Sequence, residues 1–198
     1  MRQFLMQLTS GDLTPNQLQD SIRNDDRPEM RYRRSIVGVS LVGMAAMGIV
    51  ALLQTGIVRK LPEPHTKRPK FDTLKVNTSK EAFSYGMPDG ALLLVTHAAN
   101  LALAAAGPAD RYERRPWLPI AALASALPQA LVAAKYLFYQ MPRVDKAWCP
   151  YCVVDALTHF ATLGLAVPEA LGAFRANSMA TPRRQSTRRS AMRPPAAA

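Results

Sequence analysis

From Ser35 to Val58 the chain runs for 24 residues, SIVGVSLVGMAAMGIVALLQTGIV, without a single charge. A soluble helix of that length normally carries a polar face, and this stretch has none. The hydrocarbon core of a bilayer is about 30 Å thick and takes roughly 20 apolar residues of helix to cross. The stretch therefore reads as a membrane span. Three others approach it. Gly90–Ala109 has 20 uncharged residues, Pro116–Ala134 has 19 and continues after Lys135 as YLFYQMP, and Ala147–Pro168 carries only Asp155 in 22. Together they predict an all-α fold, an integral membrane bundle of four transmembrane helices. A soluble protein with four Ala-rich core helices is the competing reading, and it lacks the charged faces it needs.

Whole-chain averages conceal this pattern. A net charge of +11 and a mean hydropathy of −0.06 would suit a small, basic, soluble protein. The charge is segregated instead. Residues 1–34 are polar and mixed in charge, and Thr14-Pro15 predicts the cap and first residue of a short helix. Residues 35–173 form the membrane domain, with a long loop over 59–89, a charged turn at 110–115 and a short one at 143–146. Residues 174–198 are rich in Arg, Ser, Pro and Ala with no acid, and read as a disordered basic tail. The first apolar stretch starts too late and runs too long for a cleavable signal peptide. Arg33-Arg34 also matches the start of a twin-arginine signal, although topology accounts for the pair directly.

Basic residues flanking short loops mark the cytoplasmic side. With four spans, the N-terminal segment, the 110–115 turn and the tail share one side and hold 15 of the 25 Lys and Arg. The other side holds 9, seven of them in the 59–89 loop. Both termini are therefore expected in the cytoplasm of a bacterial inner membrane. Nucleic-acid binding is excluded, because the basics are divided between two sides of apolar spans and no aromatic is interleaved with the tail arginines. The tail arginines, Arg175, Arg183, Arg184, Arg188, Arg189 and Arg193, serve as an inside-retention signal or as a site for anionic lipid.

This orientation puts Trp148-Cys149-Pro150-Tyr151-Cys152 at the outer surface, at the start of the fourth span. Cys149 and Cys152 are the only cysteines. Two cysteines cannot form a disulfide-dense scaffold. Three apart on a helix, they share a face, and a helix N-terminus stabilises a thiolate, the species that attacks a disulfide. Redox exchange competes with three other readings: half a zinc site completed by His97 or His159, a structural disulfide, and inert buried thiols. Nothing clusters with metal-ligand spacing, so no metal is expected. Asp155 and His159 continue the cysteine stripe, as a proton relay or as a mutually satisfied polar pair. Lys135 either snorkels outward with Tyr136, Phe138 and Tyr139 or places its cation near the cysteines. Pro128 is expected to kink the third span.

Four spans with a C-x-x-C at the outer start of the fourth resemble the vitamin K epoxide reductase family over residues 36 to about 172. The loop VNTSKEAFSYGMPDG, ending in Gly86-Met87-Pro88 before the second span, and the segment WCPYCVVDALTHF carry the resemblance. It implies a membrane thiol–quinone oxidoreductase. Cys152 would face a quinone of menaquinone or ubiquinone type, and Cys149 would face a thioredoxin-like extracytoplasmic partner. Three positions depart from the family pattern. The loop lacks a second cysteine pair, with Thr78 and Ser79 about where one cysteine is expected. Asp89 stands near the position of a quinone-contacting Asn. Ala156 replaces a Tyr. Direct transfer from an external dithiol to Cys149 follows, with Asp89, Asp155 or His159 supplying protons. The second reading is a degenerate, non-catalytic membrane module that binds a partner or anionic lipid.

Overall fold

The computed structural model describes residues 1–9, 13–66 and 69–191. Among these residues the structure is helical, with loops and one isolated β-bridge. α1 (Arg2–Thr9) and α2 (Pro15–Asn24) come first. α2 starts where the sequence predicts, with Pro15 in its first turn. Thr14 Oγ1 accepts from the Gln17 amide (3.4 Å) and Gln17 Oε1 accepts from the Thr14 amide (2.9 Å), a reciprocal cap. α3 (Pro28–Gln54) begins well before Ser35, because Pro28 and Glu29 suit a first turn. α4 (Thr73–Asn77) and a single turn over Glu81–Phe83 punctuate the long loop. α5 (Asp89–Ala105), the short α6 (Arg111–Arg114) and α7 (Trp117–Lys135) follow. α7 continues as a π-helical segment over Tyr136–Asp145, and α8 spans Pro150–Ala191.

Three helical stretches are long and apolar enough to cross a membrane: Pro28–Gln54, Trp117–Asp145 and Pro150–Ser178. α5 is shorter than the sequence suggests. It has 17 residues, about 26 Å at 1.5 Å per residue. It ends at Ala105 and not at Ala109 because Gly107 takes a φ of +80° and Pro108 has no amide to continue the ladder.

α3 packs along both α5 and α8, α7 packs along α8, and α5 also touches α7. Small residues occupy the contacts. Ala104, Ala126, Ala130, Ala156, Ala166 and Ala170 are buried, which lets backbones approach where no water drives the helices together. The opposite faces stay apolar as well, and Val95, Leu131, Phe138 and Leu157 are exposed.

Buried charge closes the end of the molecule near residues 103–111. Arg33 is 1 % exposed and Arg111 fully buried. Arg33 donates to the carbonyls of Ala104 (2.8 Å), Ala106 (3.0 Å), Gly107 (2.9 Å) and Pro108 (2.8 Å). These include the carbonyls that the end of α5 leaves without helical partners. Arg111 donates to Leu103 and Ala106 carbonyls and forms a two-pronged pair with Glu169 of α8 at 2.7 and 2.6 Å. Both arginines therefore do more than the charge count assigns them.

At the other end, the chain before α8 folds back on the long loop. Phe71 and Trp148 form the parallel bridge, with Trp148 donating to Lys70 O (2.9 Å) and Asp72 donating to Trp148 O (3.0 Å). Lys146, left-handed at φ +52°, makes the turn that allows it. Glu63 accepts from the Thr73 amide (2.7 Å), and this bond holds its carboxyl below the usual range. Tyr151 donates to Pro62 O (3.0 Å). α4 is thereby pinned over the start of α8.

The segment from 174 reads as disordered by composition. The backbone stays helical through Ala191, since Ala, Arg, Met and Gln are good helix formers. Residues 192–198, Arg193 among them, lie outside the described residues.

Candidate active site

Cys149 occupies the position just before α8, and Pro150 follows in its first turn, where a missing amide costs nothing. The two sulfurs are joined in a disulfide, with Cα atoms 5.2 Å apart. The Cys152 amide donates to Cys149 Sγ at 3.1 Å, so the sulfur caps the helix as a Ser or Asp oxygen would. Cys149 is fully buried and Cys152 half-buried.

Beside Cys152 opens a cavity of about 260 Å³. Met47 of α3, Leu92 and Leu93 of α5, and Pro128, Val132 and Ala133 of α7 form its apolar wall. Pro128 cannot donate to the ladder of α7 and lies at this wall. The polar groups fall into two sets. Near the cysteines are Asn77, Tyr85, Asp89 and Tyr136, and at the other end are Thr96, Gln129, Asp155 and His159.

Asp89 sits at the start of α5 and accepts from Gln54 Nε2 (2.7 Å) and from the Tyr136 hydroxyl (2.8 Å). Gln54 also donates to Asn77 O (3.1 Å) and accepts from the Gly90 amide (3.1 Å). This ties the end of α3 to α4 and α5. The phenol that meets Asp89 comes from Tyr136, in the π-helical segment that continues α7, while Ala156, at the place the family resemblance would give a Tyr, is buried in the core.

Asp155, His159 and His97 form the second set. Asp155 and His159 do lie together, with His159 Nε2 3.5 Å from Asp155 Oδ2. The closer partner comes from another helix, since His97 Nε2 of α5 lies 2.7 Å from Asp155 Oδ1. The two imidazoles stack with centroids 4.5 Å apart and planes 11° apart. His97 Nδ1 and both nitrogens of His159 have no hydrogen-bond partner. The ligand atoms of the three residues lie within 4.8 Å of one another, a grouping that sequence spacing does not reveal because α5 contributes one member. By residue type the set could hold a divalent cation. The lone pairs of parallel stacked rings do not converge on one point, however, and the His97–Asp155 contact has the length of a direct hydrogen bond. The set contains neither cysteine, and the two cysteine sulfurs are bonded to each other.

Gly43 of α3 makes room for His97. A Cβ there would overlap Cε1 and both nitrogens of the ring. Gly43→Ala is expected to cost about 1–3 kcal/mol through overpacking, read as a lowered unfolding midpoint in detergent. Gly48→Ala is the control, since its Cβ meets nothing.

Of the residues picked from sequence, Cys152, Asp89, Asp155 and His159 line the cavity, and Cys149 is joined to it through the disulfide. Lys135 is exposed and does not line it. Asn77, Gln54 and Gln129 are missed, being uncharged and far from the C-x-x-C in sequence. His97 is visible only as a lone histidine in an apolar stretch.

Helices of membrane-crossing length and a C-x-x-C disulfide at the mouth of a mostly apolar cavity define a membrane protein built for thiol–disulfide chemistry. A sequence model of the Vitamin K epoxide reductase family matches residues 34–167, and the chain belongs to that family. Membership implies oxidoreductase activity. Neither a curated protein nor a solved structure matches the sequence.

Proposed function

We propose that the chain is a four-span inner-membrane thiol:quinone oxidoreductase that passes electrons from an extracytoplasmic, thioredoxin-like dithiol through Cys149 and Cys152 to a membrane quinone. The observation that carries this reading is the position of the disulfide. Cys152 opens on a cavity with apolar walls and polar groups at both ends, a pattern suited to a flat apolar ligand with polar edges. α5 supplies the fourth span, shorter than the others, and both termini face the cytoplasm.

The partner's thiolate attacks Cys149, and Cys152 leaves with the electron pair of the broken S–S bond. The partner's second thiol then releases Cys149, completing reduction of the pair. A quinone in the cavity would take up two electrons and two protons as the Cys149–Cys152 disulfide re-forms. Asp89 with Tyr136 would orient it at the cysteine end. Asp155, flanked by His97 and His159, would hold a proton at the other. Cys149 is buried beneath α4, so the partner's thiol reaches it only when α4 lifts.

The test is alkylation of the cysteines in membranes, read as a gel shift. A reduced thioredoxin-like protein is expected to convert the pair to the alkylated form, and added quinone to return it to the protected form. A pair that responds to neither reagent favours the non-catalytic membrane module.

A further inference from the structure

The carboxamide of Asn77 touches both sulfurs of the disulfide. Nδ2 lies 3.2 Å from Cys149 Sγ and Oδ1 lies 3.4 Å from Cys152 Sγ. The orientation is set from outside the cysteine pair. Nδ2 also donates to Thr73 O at 2.8 Å, and a carbonyl cannot accept from Oδ1. One amide hydrogen therefore goes to Thr73 and the other to Cys149, while the acceptor faces Cys152. Asn77 is 3 % exposed, so water does not compete for these contacts.

We propose that Asn77 is a catalytic residue of the exchange, holding the negative charge on Cys149 and the proton on Cys152 once the pair is reduced. The proposal rests on the redox reading above. Cys149 Sγ then has two donors, the Asn77 amide and the Cys152 backbone amide. Cys152 has an acceptor in Asn77 Oδ1. Hydrogen bonds to the charged form favour it, and burial strengthens them.

The asymmetry bears on two bond changes. When the partner's second thiolate attacks its own sulfur in the mixed disulfide, the partner's disulfide forms and the bond to Cys149 breaks. The electron pair stays on Cys149 Sγ, where both donors receive it. Cys152, released earlier as a thiolate, takes one of the two protons that the partner's dithiol has lost. The other proton leaves to solvent. When the quinone of the redox reading reoxidises the pair, the Cys149 thiolate bonds to Cys152 Sγ as two electrons and the Cys152 proton pass to the quinone, which takes its second proton from solvent.

The experiment is a pH titration of the Cys149 thiolate by its ultraviolet absorbance. It uses the full chain in detergent with Cys152→Ser, so that one thiol titrates. An ordinary cysteine titrates at about 8.5, and Cys149 is expected at least about one unit lower. Asn77→Asp keeps the shape and replaces the donor with an oxygen. It is expected to raise the midpoint by about a unit or more, a tenfold drop in thiolate at a given pH below it. Asn77→Ala should raise it by less, because it removes the donor without adding charge. A Cys149 midpoint at or above the ordinary value with Asn77 in place overturns the proposal without recourse to any variant. So does an unmoved midpoint in a folded Asn77→Asp chain. The titration needs neither quinone nor partner, so its failure is distinct from failure of the oxidoreductase reading.

Discussion

Replacing either cysteine by serine is expected to bring dithiol-dependent quinone reduction down to the uncatalysed background. Both variants should fall equally far, since residues that act as one unit are not additive. No third cysteine is present to substitute. Cys149→Ser removes the sulfur that the partner attacks, and Cys152→Ser removes both the leaving group and the sulfur at the cavity. The measurement is quinone absorbance in membranes supplied with a reduced thioredoxin-like protein. Turnover close to that of the parent in either variant would place the electron path elsewhere. Because the loop carries no second pair, the result should not depend on any other thiol of this chain.

The second large effect is on stability. Glu169→Leu leaves Arg111 buried without its counter-ion, and breaking a buried pair from one side costs about 3–5 kcal/mol. The two sides are not equivalent. A guanidinium stays charged, whereas a buried carboxylate can take up a proton and become neutral. Arg111→Met is therefore expected to cost less than Glu169→Leu. The double variant should recover much of the loss, because an apolar pair replaces an ionic one. Unfolding midpoints in detergent check the order. A double variant no more stable than Glu169→Leu would mean that the carbonyls of Leu103 and Ala106, which Arg111 also serves, matter more than the ion pair.

Much of the fold is legible in the chain itself. Long uncharged stretches leave few alternatives to membrane-length helices, and the start of α2 follows from Thr14 and Pro15. The C-x-x-C is equally plain, since two cysteines three apart at a helix start are within bonding reach whatever surrounds them. The length of α5 is less plain. Gly107-Pro108 is uncharged and so passes for span, yet it cannot continue a helix. Arg33 and Arg111 look like surface charges beside a span. Only when α5 ends next to them and Glu169 arrives from α8 do they find enough acceptors to be buried.

The site beyond the cysteines is a tertiary product. In a helix apolar on every side, periodicity does not show which face turns inward, so Pro128, Met47 and Val132 give no sign that they wall a cavity. Asp155 and His159 announce themselves as polar residues in an apolar run, but the shorter contact, from His97, depends on α3 carrying a glycine at 43 where the ring must fit. Asn77 is the clearest case. In the chain it is one polar residue in a polar loop. The bridge between Phe71 and Trp148 carries it onto the disulfide, where it meets both sulfurs. Charge spacing and hydropathy are local and can be read along the chain, while a contact across 72 residues exists only once loop and helix have been packed together.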